Sequence, residues 1–154
     1  ALAKAWAGRD EGLPLNSPTE ALVLASIVEK ETGVASERGR VAGVFLNRLK
    51  RGMKLQSDPT VIYGITEGKA ALGRELTRAD LDAPTPWNTY AVQGLPPTPI
   101  ANPGLAAINA VLHPEATKAY YFVADGTGGH AFAETLLEHN RNVAKWRKIQ
   151  RRGK

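Results

Sequence analysis

Apolar residues recur at helical spacing through most of the chain. The spacing predicts five main helices: residues 1–8, Pro18 to Thr32, Ser36 to Arg51, Asn102 to His113, and from about Glu134 onwards. The second helix has a strong start signal, because Ser17 can cap the free N–H groups and Pro18 fits the first helical position. We expect Gly33 to end this helix in a left-handed conformation and Ser36 to cap the next one.

The pattern changes after residue 118. Residues 119–124 are aromatic and β-branched, residues 125–129 are rich in turn formers, and residues 130–133 are mostly apolar, which predicts a β-hairpin. Residues 83–103 are rich in Pro, Thr, Asn and Gly and are predicted to form a long ordered loop, a kind of segment that is often functional. The predicted fold class is α+β, mainly helical with one small hairpin.

Composition narrows the class of protein. The chain has 154 residues, 43% hydrophobic and 23% charged, as expected for a single globular domain. The net charge of +5 is concentrated in residues 147–154, which form either a solvated helix end or a surface that attracts polyanions or membranes. The absence of cysteine excludes disulfides and thiolate chemistry. The chain opens within a helical pattern without a signal peptide, so we expect a domain of a longer protein.

The end of the second helix, ASIVEKETG over residues 25–33, holds the best candidate for catalysis. Glu31 lies three and four residues beyond Val28 and Ile27 and so continues their apolar stripe, whereas Glu29 points to another side. Desolvation and the negative end of the helix dipole both raise the pKa of such a carboxyl. A raised pKa is what a general acid needs near neutral pH. The alternative is an ordinary carboxylate paired with Lys30 or Arg38.

Other polar groups offer weaker candidates. Asp58 is either a second catalytic carboxylate or the N-cap of a short helix that begins at Pro59. Residues 53–57 are predicted to be extended. Uncharged hydrogen-bonding groups suited to a carbohydrate cleft occur in the non-helical stretches, although each is also a common turn residue: Gln56, Ser57, Asn88, Thr89 and Tyr90.

Metal, cofactor and nucleic-acid chemistry have little support. His113, His130 and His139 have no ligand spacing, so no metal site is predicted. His139 is expected at the surface of the last helix, and His130 either faces a cleft or merely occupies a strand. No cofactor motif and no nucleic-acid motif is present in the sequence.

Four blocks resemble, in order and spacing, the catalytic domain of the MltG (YceG-like) endolytic murein transglycosylases. They are ASIVEKETG, VFLNRLKRGMKLQSDPTVIYGI, NTYAVQGLPPTPIANPG and YYFVADGTGGHAFAETLLEHN, which together cover most of the chain. The resemblance implies a lysozyme- or transglycosylase-like catalytic domain over residues 1–154, with Glu31 as the catalytic residue. Together with this resemblance, we predict six residues that bind substrate: Gln56, Ser57, Asp58, Tyr63, Asn88 and Tyr90.

The resemblance also implies a reaction and a setting. Such enzymes cut peptidoglycan between N-acetylmuramic acid and N-acetylglucosamine and leave a 1,6-anhydro end, with Glu31 acting as acid and then as base. They work outside the cytoplasm, held by an N-terminal membrane helix with a LysM-like domain between, and wall-synthesis enzymes are implied partners. Two alternatives stay open: a muramidase-type hydrolase that uses Glu31 and Asp58, and a non-catalytic peptidoglycan-binding module.

Overall fold

Seven α-helices, one 3-10 turn and one two-stranded sheet form the part of the chain that the computed structural model describes, residues 2–153. The α+β class with a single small hairpin is confirmed. None of the helices within residues 2–153 is long and apolar enough to cross a membrane. In chain order the elements are α1 (Leu2–Ala7), α2 (Pro18–Glu31), the 3-10 turn (Ala35–Glu37), α3 (Arg38–Arg51), α4 (Asp58–Thr66), α5 (Arg78–Asp82), α6 (Leu105–Leu112), β1 (Tyr121–Ala124), β2 (His130–Ala133) and α7 (Leu136–Arg152).

Helix α2 begins as predicted but ends differently. The Ser17 hydroxyl accepts the backbone N–H of Glu20 at 3.2 Å, and Pro18 occupies the first helical position. At the other end, Thr32 leaves the helix in an extended conformation with φ −143°. Gly33 does not have a positive φ, so the prediction that it ends α2 in a left-handed conformation is wrong. Because α2 stops at Glu31, that carboxyl lies on the last helical residue.

Three other helix starts are displaced from their predicted positions. Ser36 lies inside the 3-10 turn, so it does not cap α3, which begins at Arg38. Asp58 is the first residue of α4, and Ser57 holds the N-cap position that was predicted for Asp58. Helix α6 starts at Leu105 rather than beside Asn102, after an N-cap glycine whose N–H is bound by a side chain from α2.

Helix α2 forms the centre of the core and packs against α3 and α6. Leu24, Ile27 and Val28 have no exposed surface, and Val111 of α6 and Phe45 of α3 are buried beside them. Each such side chain contributes roughly 1.5–3 kcal/mol through burial. The C-terminal end of α2 is therefore fixed by packing on several sides.

The hairpin joins this core through aromatic contacts. The strands are antiparallel, with Tyr121 opposite Ala133 and Ala124 opposite His130. Phe122 of β1 meets Phe45 edge to face, with ring centroids 5.6 Å apart. Helix α7 packs against both strands. The hairpin and α7 thus form a wall beside the end of α2.

Close backbone approach fixes where this wall stands relative to α3. A β-carbon on Gly43 would lie 2.7 Å from the carbonyl oxygen of Glu115 and 2.9 Å from the Thr117 side chain. Only glycine allows the segment before β1 to run this close to α3. Asn47 then binds the carbonyls of Thr117 and Ala119, at 2.8 and 2.9 Å.

Candidate active site

The end of α2 opens into a cleft with two chambers. The larger has a volume of about 470 Å³ and is lined by Glu31 together with residues of α3, α4, the hairpin and α7. The smaller, about 250 Å³, lies between Glu31 and the glycine-rich turn of the hairpin. The residues common to both chambers are Glu31, Ala124, His130 and Trp146. The two chambers therefore meet at Glu31.

The Glu31 carboxyl is half-buried and makes one strong contact. The Ser57 hydroxyl donates to its Oε1 atom at 2.7 Å. Neither Lys30 nor Arg38 forms an ion pair with it among the described residues. Burial raises the pKa of Glu31 to about 7, with a smaller upward effect from Asp58, against the lowering effects of the Ser57 hydrogen bond and of His130. Near neutral pH a large fraction of Glu31 therefore carries a proton.

The other carboxylate of the same segment has a different place. Glu29 Oε1 accepts the backbone N–H of Gly104 at 2.7 Å and so holds the start of α6. This contact explains chemically why the two neighbouring carboxylates differ: one has a structural partner and the other faces the cleft.

A buried network of hydroxyl groups holds Ser57. Its backbone N–H donates to Thr89 Oγ1 at 2.8 Å, and its carbonyl accepts the Thr60 hydroxyl at 2.6 Å. The Thr60 and Thr89 hydroxyls are themselves 2.8 Å apart. All three residues are buried. The Ser57 hydroxyl donates only to Glu31 Oε1, so a proton on the neutral carboxyl would be carried by the other oxygen, Oε2.

Only part of this network is predicted from the sequence. Thr89 stands among the polar candidates of the long loop, whereas Thr60 was missed. A threonine three residues after Ser57, at the start of α4, is the local signal that could have found it.

The segment before Ser57 is held by an arginine that sequence reasoning missed. Arg48, only 7% exposed, donates to the carbonyls of Tyr120 and Lys54 at 2.6 and 2.8 Å and lies 3.5 Å from Gln56 Oε1. Burial lowers the pKa of Arg48. Gln56 itself has φ 53°, a left-handed conformation, so the predicted extended run is wrong at this residue. The turn lets its side chain line the larger chamber.

Asp58 and Tyr90 meet at the rim of the larger chamber. The Tyr90 hydroxyl donates to Asp58 Oδ1 at 2.6 Å. Burial, together with this hydrogen bond and the charge of Asp58, raises the pKa of Tyr90 well above its usual value. Tyr90 therefore stays a neutral donor, and one oxygen of Asp58 is occupied by it.

Two of the predicted substrate-binding residues lie away from the cleft. Asn88 is fully buried, donates to the carbonyls of Leu81 and Ala83 at 2.9 and 2.7 Å, and accepts the N–H of Tyr90 at 2.9 Å. Its amide orders the long loop. Tyr63 packs edge to face on Trp87 and lines a separate cavity of about 720 Å³. The structure brings together Glu31, Gln56, Ser57, Asp58 and Tyr90.

Two histidines line the larger chamber. His130 Nδ1 lies 3.1 Å from Glu37 Oε1, and its backbone N–H donates to Glu37 Oε2 at 3.0 Å. His139 stacks on Tyr121 with ring centroids 4.9 Å apart, and burial lowers its pKa. His139, which was expected at the surface of the last helix, is half-buried, because α7 turns this face towards the hairpin. Within residues 2–153, no group of three His, Cys, Asp or Glu side chains is arranged to hold a metal ion.

The chain is similar to proteins of one known family. The sequence model of the YceG-like family matches residues 1–145. A protein of Bacillus subtilis (strain 168) named endolytic murein transglycosylase is 43% identical over 125 residues, which is 81% of this chain and 34% of that protein. A protein of the same name from Streptococcus pneumoniae serotype 2 is 39% identical over 132 residues, 82% of this chain and 23% of that one.

A solved structure shows the same fold. The crystal structure of a yceG-like protein from Listeria monocytogenes superposes with a TM-score of 0.75 at 41% identity, over 81% of this chain and 40% of that one. The chain thus spans about a third or less of the length of the curated relatives and two fifths of the solved structure.

Proposed function

The chain belongs to the YceG-like family, and we propose that it carries the catalytic site of an endolytic lytic transglycosylase acting on peptidoglycan. The observation that carries the proposal is a carboxyl with a pKa of about 7 at the junction of two chambers, fixed by a serine hydroxyl. Its relatives from Bacillus subtilis and Streptococcus pneumoniae are named endolytic murein transglycosylases, which supports the substrate class.

In the proposed reaction, Glu31 acts as an acid and then as a base. Its Oε2 proton passes to the oxygen that links N-acetylmuramic acid to N-acetylglucosamine, and the bond from that oxygen to C1 breaks through an oxocarbenium-like transition state. The muramyl C6 hydroxyl then attacks C1 of the same sugar and loses its proton to the enzyme. The products are a 1,6-anhydromuramyl end and a free hydroxyl on the other sugar, so no water is consumed.

The surrounding groups have distinct proposed roles. Ser57 holds Oε1 so that the acidic proton points into the cleft. Gln56 and Tyr90 supply uncharged hydrogen-bonding groups to the larger chamber, where a sugar and its N-acetyl group would lie. The apolar packing around the end of α2 limits the access of water that would compete with the internal hydroxyl.

A hydrolase that uses Glu31 and Asp58 is the competing proposal. Asp58 lines the same chamber, which favours it, but one of its oxygens accepts the Tyr90 hydroxyl at 2.6 Å. As a base, Asp58 would have to activate water from its other oxygen. The two reactions differ in their product, because hydrolysis leaves a reducing end one water heavier than the anhydro end.

Product analysis of digested peptidoglycan tests both proposals. Wild-type protein is expected to release anhydro-ended fragments, identified by mass spectrometry, and Glu31→Gln should reduce their release by roughly 10²- to 10⁴-fold. Asp58→Asn is the matched control, which keeps an acceptor for Tyr90 and should retain activity. An active Glu31→Gln variant would refute the transglycosylase, and water-heavier products would support the hydrolase. Binding of glycan strands without turnover by the wild type would indicate a non-catalytic module.

The proposed substrate sets the proposed location. Peptidoglycan lies outside the cytoplasmic membrane, so we propose that this site works there, in a protein attached by an N-terminal membrane helix. Contact with wall-synthesis enzymes belongs to the same proposal. Protease treatment of intact protoplasts tests the location, because an outward-facing site is digested while cytoplasmic markers survive.

A further inference from the structure

The junction of the two chambers contains a second titratable side chain besides Glu31. Of the four residues that line both chambers, Ala124 and Trp146 cannot exchange protons near neutral pH, which leaves Glu31 and His130. A polymer that occupies both chambers at once must pass these two groups. Asp58, by contrast, lines only the larger chamber.

The orientation of His130 is fixed by one carboxylate. Glu37 receives the His130 backbone N–H on one oxygen at 3.0 Å and faces ring atom Nδ1 with the other at 3.1 Å. A β-carbon on Gly129 would lie 3.0 Å from the same carboxylate, so a larger residue there would press on Glu37. Phe122 packs edge to face on the ring, with centroids 5.2 Å apart. The hairpin thus presents the imidazole in a single orientation.

This orientation leaves the other ring nitrogen available. An Nδ1–H that donates to Glu37 places the lone pair of the neutral ring on Nε2. Nε2 makes no hydrogen bond among the described residues, and it is not one of the fully buried atoms there that lack a partner. It is therefore open to a ligand, and His130 lines both chambers.

We propose that His130 is a proton relay between the attacking hydroxyl of the substrate and Glu31; this step rests on the transglycosylase proposed above. Glu31 gives its proton to the glycosidic oxygen as the C1–O bond breaks. As the C6 oxygen forms its bond to C1, its proton moves to His130 Nε2, and the Glu37 carboxylate stabilises the imidazolium. His130 then returns the proton to the Glu31 carboxylate. Every proton is accounted for, and no other reactant is needed.

The relay makes a prediction about pH that a single-carboxyl mechanism does not. Glu31 must begin protonated, so the rate falls above about pH 7. His130 must begin neutral, so the rate also falls on the acidic side, giving a bell-shaped profile. The charged or titratable groups around His130 are Glu31 on α2, Glu37 on the 3-10 turn, Arg40 on α3, Asp125 in the hairpin turn and His139 on α7.

The test is the pH dependence of kcat and KM for the protein in its natural length, with purified glycan strands. His130→Asn keeps an N–H donor near the position of Nδ1 for Glu37 but has no atom at Nε2. We expect its kcat to fall about 10²-fold with little change in KM, and its acidic limb to disappear. The control is Thr127→Ala, which removes the Thr127 hydrogen bonds to Asp125 and Gly129 in the same hairpin turn but lines neither chamber. It should keep the bell shape.

Each result decides for or against the relay. A His130→Asn variant with wild-type kcat, or one that is slowed but keeps its acidic limb, would overturn it. If that variant does not fold, the wild-type profile decides, since a flat acidic side excludes the relay. Glu37→Gln is a second test, because without the carboxylate that stabilises the imidazolium kcat should fall with little change in KM. An active Glu31→Gln variant would instead defeat the transglycosylase itself, so the two failures are distinguishable.

Discussion

Ser57→Ala isolates the contribution of one hydrogen bond to the acid. The hydroxyl has a single partner, Glu31 Oε1 at 2.7 Å, while the bonds to Thr89 and Thr60 use the backbone of Ser57. Removing the hydroxyl therefore leaves the buried threonine network intact. The perturbation is confined to the carboxyl, which loses the strongest influence that holds its pKa down.

The size of the effect follows from the difference between two hydrogen bonds. A bond to an ionised carboxylate contributes about 1.5–3 kcal/mol and a bond to a neutral carboxylic acid about 0.5–1.5 kcal/mol. The difference of roughly 1–1.5 kcal/mol corresponds to about one pKa unit. The pKa of Glu31, about 7 in the wild type, should therefore rise to about 8 in the variant. Activity should persist to higher pH, although loss of orientation lowers its maximum.

Two measurements check this prediction independently. Titration of the Glu31 carboxyl carbon by NMR gives the pKa directly, and the alkaline limb of kcat against pH gives it through the reaction. Ser26→Ala is the matched control. The buried Ser26 hydroxyl donates to Val23 O and accepts the Ile100 N–H, and it shares no hydrogen-bond partner with Glu31. The control should lose stability and keep the wild-type limb. A folded Ser57→Ala variant with an unchanged or lower pKa would refute the reasoning.

Two further predictions concern stability. The fold raises the pKa of Glu31 from 4.5 to about 7, so the stability that its neutral form contributes is complete below pH 4.5 and is lost as the pH rises through 7. The free energy of unfolding of Glu31→Gln should therefore exceed that of the wild type by about 3 kcal/mol at pH 8 and should be almost the same at pH 4. Urea titrations at both pH values would show this. Asn88→Ala leaves two carbonyls and the Tyr90 N–H without their partner, so it should cost about 3 kcal/mol and expose residues 83–103 to proteases; a change in KM alone, with wild-type stability, would contradict this placement.

The features that sequence predicted well are those set by neighbours along the chain. The start of α2 at Ser17-Pro18 and the hairpin over residues 119–133 depend on local capping and turn chemistry, and both are observed. The raised pKa of Glu31 also follows from position on a helix face, because packing buries that face. These signals lie within a few residues of the feature that they predict.

The features that were missed depend on contacts between distant segments. Arg48 looks like one more cation at a helix C-terminus, yet it is buried because the chain before β1 returns to bind it. Glu37 meets His130 across 93 positions of sequence, and no periodicity relates them. Asn88 and Tyr90 are two residues apart, but the loop turns one inward and the other towards the cleft. Such placements come from tertiary packing, which overrides local pattern.

The wall formed by the hairpin and α7 has a consequence for how the cleft opens. A two-stranded sheet is marginally stable by itself, and no side chain of α7 is fully buried, whereas α2 is enclosed by core residues. Local unfolding therefore costs less in this wall than in α2, so the amides of the wall should exchange hydrogen before those of α2. The acid therefore lies on the more rigid side of the cleft and faces the side that opens more easily.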